Sequence, residues 1–442
     1  YVEQKGEPGM RILFVSTNRS RAALLPMPLG LASIIAQMDE SRHEIHALDL
    51  MFCDQPEAEL IRALARFEPQ IIALSIRNLD NQSRLNTEYY LPLEKKFVEL
   101  CRENSRATLI IGGAAFTVSP VAVFEYLEPD FGVIGEGETV FPKLVDRIEQ
   151  GSEYTDLPGL VWRDAGGVRH NPYGFVTNLD ALKPPRRDLF DNQRYAKERG
   201  MANIVVKQGC PFECLYCDGP HVMGKHWRMK SPQTVAAELE SIQKDIGVNL
   251  VYFTDAIFNH PVDHAKAICQ AIIDRELSIY WVATLHPGFV DRSLLELMKK
   301  AGCVSASPGC DTCSEKMLQV MRKGFTKDEL KSCLIMLEEM EISYILSLLF
   351  GAPGENRETV EESIRFLEER KPMMLDFCPG IRLMPHTPLF DIAVSEGVIS
   401  ADDPLMEPKF YISPDIKDWI EEYLTEICST HEKWNVNWKN NP

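Results

Sequence analysis

The chain alternates short apolar, β-branched runs with helix-length amphipathic segments in two separate stretches, a pattern that restricts it to α/β folds built on parallel sheets. In the first stretch the strand-like runs are RILFVS (11–16), HEIHALDL (43–50), PQIIALSI (69–76), ATLIIGG (107–113) and FGVIGEG (131–137). Helices are expected near 29–38, 57–67 and 91–104. Residues 1–150 therefore read as a doubly wound, Rossmann-like domain. Ligands of such sheets bind beyond the carboxyl ends of the strands. Those ends here carry Ser16 and Thr17, Ser75, Arg77 and Asn78, Gly112 and Gly113, and Glu136, Gly137 and Glu138.

Residues 151–195 break the pattern. GLVWRDAGGVRHNP (159–172) predicts a hairpin turning between Asp164 and Gly167, and the proline-rich LKPPRRDLF (182–190) follows, so this segment reads as a linker. A second alternation occupies 196–385, with strand-like runs NIVVKQ, LVYFTD, IYWVAT, CVSASP, YILSLLF and LDFCPGI. Six units fall short of the eight of a closed barrel, so a partial, laterally open (β/α)6 barrel is expected. The remainder, 386–442, is a small mixed C-terminal region with one helix expected near 415–428.

A formal net charge of −18 argues against a nucleic-acid surface. No run approaches the length of a membrane span, and the start lacks the order of a signal peptide, so a cytoplasmic protein is expected. In a reducing compartment, twelve cysteines suggest metal or cluster ligands before disulfides. Three have ligand-like spacing, in KQGCPFECLYCDGP (207–220): Cys210, Cys214 and Cys217. Thiolates so close can wrap three corners of an iron–sulfur cube and leave the fourth iron open. Zinc normally takes four protein ligands and none follows at regular spacing, although His221 is near enough to keep zinc as a weaker reading.

This C-x3-C-x2-C run, with Tyr216 before its last cysteine, resembles the signature of the radical S-adenosylmethionine (SAM) superfamily. The resemblance implies a 4Fe-4S cluster on Cys210, Cys214 and Cys217 whose open iron chelates SAM, with the Tyr216 backbone approaching adenine. It extends through FTDAIFN (253–259), GCDTCSEKMLQVMRKG (309–324) and LFGAPGEN (349–356), and it implies SAM contacts from Asp218, Asp255, Gly351 and Glu355. Helix capping is the plainer expectation for Glu355, and loop capping is the lesser alternative for Asp255. PMPLGLASI, SIRNLDN, IGGAAFTVSP and IGEGETVFPKL resemble the cobalamin-binding domain of one subgroup of that superfamily. There the glycines let backbone approach a flat macrocycle, and Ser75, Arg77, Asn78, Glu136 and Glu138 hydrogen-bond corrin amides. An Asp-x-His-x-x-Gly motif is absent, so cobalamin binding without a protein histidine ligand is expected.

The resemblance implies an oxygen-sensitive enzyme supplied with electrons by a flavodoxin- or ferredoxin-like donor and acting on a small molecule or peptide. The leading reaction is methylation of an unactivated carbon or phosphorus centre through a 5'-deoxyadenosyl radical and methylcobalamin. An oxidative cyclisation without net methylation is the alternative, and a non-catalytic cobalamin and iron–sulfur sensor is the reading from another class. His286 (in VATLHPG) and Cys378 stand at strand ends, where the first could orient substrate or move a proton, or equally be a structural histidine, and the second could act as thiyl or methyl carrier. Cys303, Cys310 and Cys313 are expected to be small packing residues, with a second cluster as the lesser reading. His386, in RLMPHTPLF, stands where relatives carry glycine.

Overall fold

The computed structural model describes residues 9–21, 25–198 and 200–436. Its contacts divide the chain into two compact units, one from 1–81 and 89–192, the other from 82–88 and 193–442.

The first unit runs β1 (Arg11–Ser16), α1 (Leu29–Ala36), β2 (Glu44–Asp49), α2 (Pro56–Phe67), β3 (Ile71–Ser75), α3 (Leu91–Asn104), β4 (Thr108–Gly112), α4 (Ala114–Val118), α5 (Pro120–Leu127), β5 (Phe131–Val133), α6 (Val140–Gln150), β6 (Leu160–Asp164) and β7 (Gly167–His170). One sheet has the order β2-β1-β3-β4-β5-β6-β7, parallel through β5 and antiparallel thereafter. Helices cover both faces, so β1 and β3 are apolar along almost their whole length and buried except at Arg11 and Ser75. Local signals match: Pro56 opens α2 with Glu57 and Glu59 in its first turn, and Gly151 closes α6 at φ +60°.

The hairpin corrects the expected linker. Leu160 and Val161 are fully buried and pair with Val133 and Gly132, so β6 and β7 extend the first sheet. Burying that apolar pair outweighs the irregular composition around it. The proline-rich stretch after it is tied to the same unit, where the Arg186 N–H donates to the Ala32 carbonyl (3.1 Å).

The second unit runs α7 (Asn192–Lys197), β8 (Ala202–Ile204), β9 (Lys207–Gln208), α8 (Gly219–Val222), β10 (Arg228–Met229), α9 (Pro232–Ser241), β11 (Leu250–Phe253), α10 (Val262–Asp274), β12 (Tyr280–Leu285), α11 (Arg292–Lys300), β13 (Cys303–Pro308), α12 (Glu315–Val320), α13 (Lys327–Glu339), β14 (Ser343–Phe350), α14 (Arg357–Glu368), β15 (Met374–Pro379), β16 (Ile381–Arg382), α15 (Pro388–Ser395), β17 (Phe410–Tyr411), α16 (Ile420–Ser429) and β18 (Trp434–Val436). Its main sheet is all parallel, in the order β18-β15-β14-β13-β12-β11-β8. The six expected strands are present in chain order. The edges, β8 and β18, are not paired with each other among the described residues, so the barrel is open.

The seventh strand, β18, comes from the tail, and β17 pairs with β16 across the boundary expected at 385. The C-terminal region is therefore part of this unit. Along β14, Tyr344, Leu346, Leu348 and Phe350 are buried while Ile345, Ser347 and Leu349 stay half-buried. The two faces of the strand thus differ in burial, one fully covered and the other partly open.

Candidate functional site

The cysteine loop leaves the barrel after β8 and is clamped at its base by the two-stranded ribbon of β9 and β10. Gly209 starts it at φ +93°, where an added Cβ would lie 2.2 Å from the His226 carbonyl oxygen, so only glycine fits. Backbone bonds fix the path: Cys210 N–H to the Gly224 carbonyl (2.9 Å), Leu215 N–H to the Met321 carbonyl (3.0 Å), and Cys217 N–H to the Cys214 carbonyl (3.2 Å). The Gly219 N–H points at the Cys217 sulfur (3.4 Å).

Cys210 is buried, Cys214 half-buried and Cys217 exposed. Surrounding protein nonetheless pushes all three thiols up, Cys217 to about 12, with the neighbouring sulfurs adding to the effect at Cys210 and Cys217. To act as ligands the three would have to ionise, and a bound cation would supply the stabilisation that burial withholds. Among the described residues, only His43, Asp146 and Glu149 bring three ligand atoms within 4.8 Å of one another. The three sulfurs are therefore spread wider than a single zinc ion needs, which fits separate corners of a cluster and disfavours zinc.

Behind the loop lies a group that the motif alone did not single out. Lys323, 7% exposed, forms an ion pair with Asp311 and donates to the Tyr216 hydroxyl (3.3 Å), and that hydroxyl donates to Asp311. Burial alone would push the Lys323 ammonium down, but Asp311 and Tyr216 hold it well above its ordinary value.

Two carboxylates expected near SAM are buried with one oxygen unsatisfied. Asp255 Oδ1 accepts the Val206 N–H (2.8 Å) and the Lys207 N–H (3.1 Å), while Oδ2 has no hydrogen-bond partner. Burial raises its carboxyl to about 6, against the pull of Lys207. Lys207 is itself lowered to about 8 by burial and donates to the Phe258 and His260 carbonyls (2.7 and 2.8 Å). Glu355 does not cap a helix. Asn356 and Thr359 form the capping box of α14, and Glu355 Oε2 instead accepts the Gly351 and Ala352 N–H groups, leaving Oε1 unpartnered and the carboxyl raised to about 7 by burial. Buried acceptors without donors are what a ligand rich in hydroxyl and amino groups would satisfy. Asp218 is half-buried, and its carbonyl accepts the N–H groups of His221 (2.8 Å) and Val222 (3.0 Å) at the start of α8.

Of the two readings of His286, the structure favours the packing one over the cavity one. Its Nδ1 accepts the Gly288 N–H (3.2 Å), its Nε2 lies 3.1 Å from the Lys323 carbonyl, and its ring stacks on Phe212 with centroids 4.6 Å apart. Burial lowers it to about 4, so the ring is neutral with both nitrogens occupied. Cys378 is half-buried, but its thiol donates to Asp376 Oδ2 (3.2 Å) and is pushed well up by burial and that carboxylate, the opposite of an activated sulfur. Cys303, Cys310 and Cys313 pack in the apolar core, as expected. His386 takes a left-handed backbone (φ 63°), as the glycine position demands, and stacks on His221 at 4.2 Å.

In the first unit, register places Ser16, Ser75, Gly112 and Val133 side by side at the carboxyl edge of the sheet. Thr17 is corrected: it is 1% exposed, with its hydroxyl between the Ser75 carbonyl (3.1 Å) and Glu94 Oε1 (2.8 Å), so it braces the edge from below. Gly113 and Gly137 also have internal reasons, since a Cβ would meet the Ile76 carbonyl oxygen at 2.4 Å and Ile34 Cδ1 at 2.7 Å. Glu136 accepts the Val176 N–H (2.6 Å). Ser75, Asn78, Gly112, Glu136 and Glu138 are half-buried and Arg77 is exposed, a polar edge whose donors and acceptors suit an amide-rich macrocycle.

Residues 204–367 match the Radical SAM superfamily and residues 16–145 match the B12 binding domain. The chain belongs to the B12-binding radical SAM proteins. An uncharacterised methyltransferase of Pyrococcus horikoshii is 26% identical over 90% of this chain and 88% of its own. A tryptophan 2-C-methyltransferase of Streptomyces laurentii is 24% identical over 81% and 70%, and an anaerobic magnesium-protoporphyrin IX monomethyl ester cyclase of Synechocystis is 24% identical over 85% and 74%. In structure, the radical SAM methyltransferase TsrM of Kitasatospora setae, solved with cobalamin and a [4Fe-4S] cluster, superposes with a TM-score of 0.85 at 21% identity, covering 97% of this chain and 93% of its own. The chain is thus a cobalamin-dependent radical SAM enzyme whose cofactors are a [4Fe-4S] cluster, SAM and cobalamin. Among the described residues no helix is long and apolar enough to cross a membrane.

Proposed function

We propose that this B12-binding radical SAM enzyme transfers a methyl group from SAM to a carbon or phosphorus centre of a small molecule. The observation that carries the reading is the pairing of the two family domains in one chain, matched over 88% and 70% of the length of two methyltransferase relatives.

Cys210, Cys214 and Cys217 would hold three irons of the cluster, and the polar strand ends at Ser16, Ser75, Arg77, Asn78, Gly112, Glu136 and Glu138 would hold cobalamin. When bound, the cluster with SAM supplies one-electron chemistry and cobalamin supplies a methyl carrier. The chain's own part is positioning. Asp255 Oδ2 and Glu355 Oε1 are the unsatisfied acceptors that would take hydroxyl or amino protons of SAM. Gly351, at φ +124°, lets the Glu355 carboxylate reach the Gly351 and Ala352 amides and so stiffens the loop that presents it. Ser347, Leu349 and Cys378 are half-buried strand positions that would face a bound substrate, and its binding would exclude water from reactive species. Electrons would come from a flavodoxin- or ferredoxin-like donor in the cytoplasm.

The cyclase relative supports a second reading, oxidation or ring closure without net methylation. Incubating the reconstituted enzyme under a reductant with SAM carrying a trideuteromethyl group, and with candidate small molecules, separates the two. A product heavier by one trideuteromethyl group supports methylation. An oxidised, unlabelled product moves the assignment to the cyclase class, and no SAM consumption with any reductant rejects both.

A further inference from the structure

The strongest feature outside the residues assigned to cluster, SAM or cobalamin is the buried cation behind the cysteine loop. Lys323 lies at the end of the turn after α12, where Arg322 (φ 56°) and Gly324 (φ 73°) bend the backbone sharply on either side of it. That turn grips the cysteine loop at two points. The Met321 carbonyl accepts the Leu215 N–H, and the Lys323 carbonyl engages His286, whose ring is stacked on Phe212 between Cys210 and Cys214.

The Lys323 side chain then turns in toward the loop. Its Nζ lies 5.7 Å from the centre of the Tyr216 ring and closes a three-membered network with the Tyr216 hydroxyl and Asp311. The charge is near enough to act on the sulfurs of both Cys210 and Cys214, and at Cys214 it outweighs Asp311.

We propose that Lys323 is an electrostatic positioning residue for the cluster: its buried ammonium, locked by Asp311 and Tyr216 against the Cys210–Cys214 side of the loop, raises the cluster's reduction potential. This rests on the reading that the cluster sits on Cys210, Cys214 and Cys217. The reason is Coulombic. Reduction adds one electron to the cluster, and a fixed positive charge in a poorly screened site favours the more negative state. Asp311 partly cancels the effect while it keeps the ammonium charged and in place. A surface lysine, free to swing and screened by water, would do little of this.

The test is the reduced fraction of the reconstituted cluster, measured by electron paramagnetic resonance without SAM at one fixed solution potential, beside iron content. Lys323→Gln lowers the reduced-to-oxidised ratio by about tenfold, equivalent to about 59 mV for a one-electron couple. Lys323→Arg keeps the wild-type ratio, and Asp311→Asn moves the ratio the opposite way, upward. A role in loop architecture alone would not produce opposite shifts. If Lys323→Gln fails to take up iron, Asp311→Asn decides: an unchanged ratio overturns the proposal. Equal ratios in all four proteins, each with full iron, overturn it and leave the cluster assignment standing, whereas wild-type protein that binds no iron removes the cluster assignment itself.

Discussion

At the scale of single residues, the account turns on buried ionisable groups whose partners lie far off in sequence. Glu94, on α3, is pushed up to about 8 by burial despite its bond to Thr17. With the carboxyl protonated, the Thr17 hydroxyl can accept from Glu94 and donate to the Ser75 carbonyl, so one proton each satisfies the brace. In the unfolded chain the same carboxyl ionises near its ordinary value of 4.5. The native state therefore holds the extra proton between those values, and stability falls as pH rises through the window. Glu94→Gln should abolish that fall, so its advantage over wild type grows from about pH 4.5 to 8 and then levels, on the order of a few kcal/mol in chemical denaturation. An advantage independent of pH would contradict the burial argument. The three candidate cluster cysteines stand out in the sequence by their spacing. Lys323 does not, because its partners Asp311 and Tyr216 stand 12 and 107 residues away and only the folded barrel joins them. For the same reason both readings of His286 stay open in the sequence: nothing in VATLHPG reveals that Gly288 and Lys323 occupy both its nitrogens.

At the scale of elements, periodicity located the helices and the parallel strands, because burial under helices leaves continuous or alternating apolar runs that few other structures produce. It missed what neighbours stabilise. The hairpin β6–β7 was legible from its turn, but its pairing to β5 was not; β18 carries only Trp434, Asn435 and Val436 and exists because β15 offers an open edge. Two substitutions test element-level claims. Gly209→Ala places a Cβ against the His226 carbonyl at a left-handed backbone position, so it should displace the cysteine loop and lower iron content after reconstitution while the far-ultraviolet circular dichroism stays unchanged. Full iron content would show that the loop tolerates the shift. Thr326→Ala removes the capping box that starts α13 and should cost about 1 kcal/mol, read as a lower denaturant midpoint with unchanged slope.

At the scale of the whole molecule, two compact units and two family domains assign separate cofactors to separate parts of the chain. Cys214→Ala should therefore abolish iron binding and SAM cleavage but leave cobalamin binding to the first unit intact. Loss of cobalamin as well would contradict that division. Anaerobic reconstitution with iron, sulfide and cobalamin, followed by metal analysis and an ultraviolet–visible spectrum, tests the central claim most directly. The account predicts about four irons and one cobalt per chain. Four irons without cobalt would contradict the two-cofactor enzyme and leave radical SAM chemistry alone, and cobalt without iron would contradict the cluster on which the rest depends.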